Sequence, residues 1–189
     1  MDIKYLFKNC LAKSSSVMAR VKVSQFKDPT LDTEWDVETL VRHMLYELSW
    51  VADILDGQTI AEVGDKYESD LISDDLVKSW QAAADKALDS LKKVNLDGTV
   101  HLSYGDSKAP HYIREQASDQ LIHAWDLGTA IGVEVNFDPA VAEYLYQAAL
   151  PRQPEMAATG LFAPAIKVAG SAAIQTKLLA LYGRNQKTD

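Results

Sequence analysis

Asp36-Val37-Glu38-Thr39-Leu40-Val41-Arg42-His43-Met44-Leu45-Tyr46-Glu47-Leu48-Ser49-Trp50-Val51-Ala52-Asp53-Ile54-Leu55-Asp56-Gly57 decides the fold class. Val37, Leu40, Val41, Met44, Leu45, Leu48, Ala52 and Leu55 recur at steps of three and four, which is the period of one apolar helical face. Asp36 stands where an N-cap belongs and Gly57 where the left-handed residue after a helix belongs. The segment is therefore a long amphipathic helix that must bury its stripe against other helices.

The same period runs outward in both directions. Ile3, Leu6, Phe7, Cys10, Leu11, Val17, Met18 and Val21 predict a first helix over roughly residues 2–25, closed by the turn-rich run Lys27 to Thr33. Beyond Gly57, residues 58–72 read as a polar connection. A third helix is predicted from Ser73, with Asp74 and Asp75 in its first turn and Lys92 and Lys93 in its last, as the helix dipole favours. Thr99 to Tyr104 alternates weakly between Asp97-Gly98 and Gly105-Asp106, which predicts a short hairpin or extended loop. Pro110 opens a fourth long helix running to Gly132. Asp138-Pro139 opens a fifth to about Leu150, residues 151–170 read as irregular, and a last helix runs from Ser171 to near Gly183. The expectation is one all-α domain over residues 1–189: a four-helix bundle with additional short helices and a small hairpin before the fourth helix.

Charge and composition exclude several functions. Nineteen Lys and Arg against 27 Asp and Glu give a net charge of −8, with no basic cluster, so nucleic acid is not an expected partner. No stretch nears the roughly 18 apolar residues of a membrane span, and Lys4, Lys8 and Lys13 interrupt the N-terminus, unlike a signal peptide. Cys10 is the one cysteine, which points to a reducing, cytoplasmic setting. It lies on the apolar face of the first helix, where a thiol is inert core rather than a nucleophile.

The chemistry concentrates on two helices. Asp119 and His123 are four residues apart, about 40° around the helix axis and roughly 6 Å along it, so both reach one point from one face. Tyr112, Gln116 and Asp126 share that polar stripe. On the second helix, His43 shares its side with Leu40, Glu47, Trp50 and Ile54, and a half-buried imidazole there needs a partner. If the two helices pack, His43, Asp119 and His123 converge as two imidazoles and a carboxylate, a set that suits Zn²⁺, Ni²⁺ or Fe²⁺ and leaves a coordination position open. An acid and a His at this spacing also serve as an ordinary hydrogen-bonded pair. Glu47 is a candidate hydrogen-bond acceptor for a ligand imidazole. His101 in the hairpin, and His111 one turn before Glu115, read as solvent-facing or capping residues. Trp35, Trp50, Trp80 and Trp125 read as packing residues.

Two ordered segments carry a family resemblance. Thr33 to His43, with its Trp-Asp-Val, Leu-Val and His, resembles the corresponding segment of the DinB-like superfamily, and most closely the metal-binding domain of mycothiol-dependent maleylpyruvate isomerases and their bacterial relatives. Asp119 to Gly132, with His-x-Trp-Asp-Leu and a closing Ala-Ile-Gly, resembles the second signature. Gly160-Leu161-Phe162-Ala163-Pro164 and Leu178 to Arg184 are similar to the family's tail. The likeness covers most of residues 15–184.

The resemblance implies a four-helix bundle whose divalent metal, Zn or Ni, is held by His43, Asp119 and His123. The isomerases carry Glu in place of Asp119, and a second domain with a substrate-binding arginine that this sequence is not expected to include. It further implies a thiol-dependent transferase or isomerase acting on a small electrophile, with a low-molecular-weight thiol such as mycothiol as co-substrate. Glu47 and Tyr112 are the candidate catalytic groups, for orienting ligands or moving a proton. A metal-assisted hydrolase is a weaker form of the same expectation. The alternative is a non-catalytic metal-binding or stress-response bundle, and a homodimer is a further expectation.

Overall fold

The computed structural model describes residues 1–73, 75–160 and 163–186. Asp74, Leu161 and Phe162, which figure in the readings above, lie outside the described residues. The chain divides into two compact units, residues 2–135 and 136–189, and each is described by itself.

In the first unit, helix α1 spans Ile3–Met18, capped by the Asp2 carboxylate accepting from the Tyr5 amide, and buries Leu6, Phe7, Cys10, Leu11, Val17 and Met18. It is shorter than its stripe predicts. The hydrogen bonds tighten to the i→i−3 pattern at Arg20 and Val21. One turn beyond Val21 stand Ser24 and Gln25, so no apolar residue extends the face, and Val23–Gln25 form a separate 3₁₀ turn.

Helix α2 spans Val37–Leu55. Asp36 is its N-cap, accepting from the Thr39 amide, and Gly57 follows with φ of 93°. The polar connection after it is partly helical. It holds a one-turn helix α3, Ile60–Val63, started by a capping box in which Thr59 and Glu62 serve each other's backbone N–H groups. Helix α4, Leu76–Lys93, starts at the Asp75 cap and ends on Lys92 and Lys93. Strands β1, Thr99–Leu102, and β2, Gly105–Lys108, pair antiparallel from Thr99↔Lys108 to Leu102↔Gly105, so the predicted hairpin is present. Helix α5, Ala109–Ile131, is the longest element and ends on Gly132, whose φ of 71° an L side chain rarely adopts.

These four long helices close on one another. α1 packs against α5 and α4, and α2 packs against α4 and α5. Phe7, Met44, Leu48, Trp80, Leu91, Ile113 and Leu121 form the centre of the core, and the Trp80 indole N–H donates to the Ser15 hydroxyl at 2.8 Å. The all-α bundle with a small hairpin is therefore what the chain forms. Among the described residues no helix is long and apolar enough to cross a membrane.

Gly128 permits a close approach. A Cβ there would lie 2.3 Å from Val135 Cγ2 and 2.8 Å from the Val133 carbonyl oxygen. Gly128→Ala is expected to cost about 1–3 kcal/mol by overpacking, read as a lower urea midpoint at unchanged slope. An unchanged midpoint would refute this close packing.

The second unit holds α6, Pro139–Ala149, started as predicted by the Asp138 cap and Pro139. The stretch read as irregular instead contains a 3₁₀ turn, Leu150–Arg152, and α7, Gln153–Thr159. Pro151 and Pro154 sit in first turns, where proline's missing N–H is not needed, so they start helical turns rather than prevent them. Helix α8 spans Ile174–Leu181 and packs on α6.

Candidate metal centre

α2 and α5 position the site. The Asp36 cap fixes where α2 begins and thereby sets His43 two turns in, on a flank facing α5. Asp119 and His123 stand one turn apart near the middle of α5. One ligand atom from each of His43, Asp119 and His123 falls within a cluster no wider than 4.8 Å, and all three side chains are half-buried. His123 Nε2 is 3.4 Å from Asp119 Oδ1. The His43 and His123 rings meet edge to face, with centroids 4.9 Å apart.

This donor set fits a divalent cation. Two ligand atoms each about 2.1 Å from a tetrahedral ion stand roughly 3.4 Å apart, the spacing already present between His123 and Asp119. The three ligand atoms lie within 4.8 Å of one another, about 1.4 Å wider than that ideal separation. Two neutral imidazoles and a carboxylate leave one positive charge on a divalent ion, which an anionic fourth ligand could balance.

Asp126 completes the arrangement. Its Oδ2 lies 3.1 Å from His123 Nδ1, and the side chain is buried. With the Nδ1 proton held by Asp126, it is the Nε2 proton, on the Asp119 side, that a cation would displace. The sequence placed Asp126 on the polar stripe without a role. Its position three residues after His123 was the available signal.

Protonation follows the surroundings. Burial pushes the His123 pKa down, but Asp119 and Asp126 outweigh it and raise it to about 10. Burial holds His43 below the ordinary imidazole value, against the pull of Asp119. Glu47, one turn after His43, is raised by burial and by Asp119, and accepts from the Gln116 amide at 3.4 Å. Tyr112 is buried and raised well above the ordinary phenol value by desolvation, so it stays a neutral phenol. Glu47 and Tyr112 thus lie beside the triad rather than in it.

Trp35, expected as a packing residue, packs on the two imidazoles. Its ring centroid is 4.8 Å from that of His43 and 6.3 Å from that of His123, the latter at an interplanar angle of only 27°. The turn before α2 carries it there: the Thr30 amide and hydroxyl both donate to the Trp35 carbonyl, and the Trp35 amide donates to the Asp32 carbonyl. In the metal-free protein the carbon-bound ring protons of His43 are therefore expected upfield of their usual NMR position, and Trp35→Leu should return them to it. Equal shifts in both proteins would remove Trp35 from the site. His101 bonds Asp106 on the hairpin at 2.7 Å, His111 is exposed, and Glu115 accepts from the Tyr104 hydroxyl. None of these belongs to the cluster. Cys10 is buried, and desolvation pushes its thiol up to about 12, as expected of an inert core residue.

A helical bundle with two imidazoles and a carboxylate gathered between two of its long helices is a recognisable class. The chain belongs to the family described as the mycothiol maleylpyruvate isomerase N-terminal domain, whose family model matches residues 7–128. Among curated proteins it is similar to "Uncharacterized protein Rv0738" and "Uncharacterized protein MT0763" of two Mycobacterium tuberculosis strains. Each is 29% identical over 129 residues, which is 68% of this chain and 66% of the relative. No solved structure matches the chain.

Proposed function

We propose that the chain holds a divalent cation, Zn²⁺ or Ni²⁺, through His43, Asp119 and His123, and serves the reaction of a low-molecular-weight thiol with a small electrophile. The single observation that carries this reading is the cluster of three ligand atoms within 4.8 Å. Membership of a family described by mycothiol supports the thiol. Bound there, the cation would supply the charge that makes a coordinated thiol acidic near neutral pH.

The chain's own residues do the remainder. Asp126 orients His123, and Trp35 covers one side of both imidazoles and keeps water from it. Glu47, raised by burial, is suited to take up and return a proton beside the site, held by the Gln116 amide. Tyr112 stays a neutral phenol, able to donate through its O–H and to accept through its oxygen.

The test is elemental analysis of untagged protein beside His43→Ala and His123→Ala, followed by a thiol and electrophile screen of metal-loaded protein. About one equivalent of metal, lost in both variants, with turnover only when thiol is present, is the expected result. Turnover without thiol overturns the transferase reading, and absence of metal after reconstitution overturns the whole.

A second reading has its own observation: the ligands come from two helices, so an ion there ties α2 to α5. In a purely structural role, chelation would lower the melting temperature steeply, because binding free energy adds to folding free energy. A preformed catalytic site would lose far less.

A further inference from the structure

A recess of about 510 Å³ opens on the flank of α2, and His43 is part of its wall. Thr39, Arg42 and Tyr46 line the same side, and residues 67–71 form the opposite side. That opposite side is held in place. The Tyr67 hydroxyl and the Lys66 ammonium both bond Asp53, at 2.8 and 2.6 Å, and the Tyr67 ring packs edge-on against Trp50. Tyr46 donates to Glu68, and Arg42 pairs with Asp70.

The charged side chains of the recess, Arg42 against Glu68 and Asp70, leave it net negative. Arg42 is the only Lys or Arg in its lining among the described residues, and it is engaged: Nε and Nη2 donate to Glu38 and Nη1 to Asp70. Glu68 and Asp70 face it from the other wall. Residues 37–72 hold eight Asp and Glu against two Lys and Arg, which is six of the chain's net eight negative charges. The second cation, Lys66, is the one held by Asp53. With its one cation engaged by carboxylates, a net negative cleft concentrates cationic ligands and repels anionic ones. A carboxylate entering here has either to displace Asp70 from Arg42, leaving that carboxylate unpaired, or to lie against Glu68. An ammonium group instead finds two exposed carboxylates.

Resting on the metal reading of the triad, we propose that this recess seats the organic substrate beside His43 and ranks polar molecules in the order cationic, neutral, anionic. The chemical class it takes is an amine-bearing polar compound, and carboxylates are the class it rejects.

Cobalt-substituted protein tests this directly. Co²⁺ alone gives a visible spectrum, and a coordinated thiol adds a charge-transfer band that reports its dissociation constant without turnover. Cysteamine, 2-mercaptoethanol and thioglycolate are similar in size and differ in charge. In wild-type protein at low salt they should bind in that order of strength. Their intrinsic acidities differ, so the deciding quantity is the change in the cysteamine to thioglycolate ratio on substitution. Glu68→Gln with Asp70→Asn should compress that ratio by about tenfold, and Glu68→Gln alone by part of it. Both side chains are exposed, and the Gln and Asn replacements keep an oxygen that can accept from Tyr46 and Arg42, so the wall should stay in place. An unchanged ratio with an intact cobalt spectrum overturns the recess proposal alone. A wild-type protein with no cobalt spectrum overturns the metal reading and this proposal together.

Discussion

Asp126→Asn is expected to weaken divalent-metal binding by about 10- to 100-fold while leaving helix content unchanged. Asp126 is not a ligand in this scheme. It lies 3.1 Å from His123 Nδ1, away from the Asp119 side of the ring, and its charge stabilises the imidazole with Nδ1 protonated and Nε2 free to coordinate. The amide keeps the shape and one oxygen acceptor but loses the charge, and it can also rotate to present an NH₂ group that favours the opposite tautomer. Asp119→Asn should be more damaging, because it removes a charged ligand as well as the balance of charge at the ion. Competition with a chromophoric chelator at pH 7.5 measures both. If Asp126→Asn binds as tightly as wild type, the His123 tautomer is set by something else and the site as drawn is wrong.

How much of this was legible in the sequence depended on whether the signal was local. The long helices were, because Val37 to Leu55 and Pro110 to Gly132 repeat an apolar face over several turns, the first bounded by Asp36 and Gly57 and the second stopped by Gly132. Asp119 and His123 were legible as a pair for the same reason, since four residues on a helix is a fixed distance. That His43 meets them was a conditional reading, because which flanks of α2 and α5 face each other is decided by packing and not by either segment. Trp35 was legible as a packing residue and as part of the Trp-Asp-Val segment, but its contact with the two imidazoles was not. It lies in a turn without period, and only the bonds from Thr30 and to Asp32 bring the indole onto the two imidazoles. The short α3 was legible in principle through Thr59-x-x-Glu62, but a single turn has too few residues to show a period. Pro151 and Pro154 pointed the wrong way because proline interrupts a helix only beyond its first turn.

Metal uptake should strengthen by about tenfold for each pH unit between roughly 6.5 and 8.5, with close to one proton released per ion at pH 8. In the metal-free protein His123 keeps its proton up to about pH 10: burial opposes this, but Asp119 and Asp126 prevail. Every ion bound through Nε2 must therefore displace that proton. His43, held below the usual imidazole value, has little proton to give at pH 8, which keeps the count near one. The same proton acts with opposite sign on folding. An imidazole whose folded pKa is above its unfolded value of about 6.5 contributes stability that is complete below that pH and is lost as pH rises toward 10. The metal-free protein should therefore lose on the order of a few kcal/mol of stability across this interval, and its melting temperature should fall as pH is raised from 6.5 to 9.5. With excess cation the pH dependence should flatten or reverse, because the ion replaces the proton between Asp119 and His123. A pH-indicator titration in weak buffer measures the proton, and thermal melts with and without chelator measure the rest. Uptake that releases no proton would mean that the ion avoids His123, and the triad would then fail as a metal site even if the protein bound metal elsewhere.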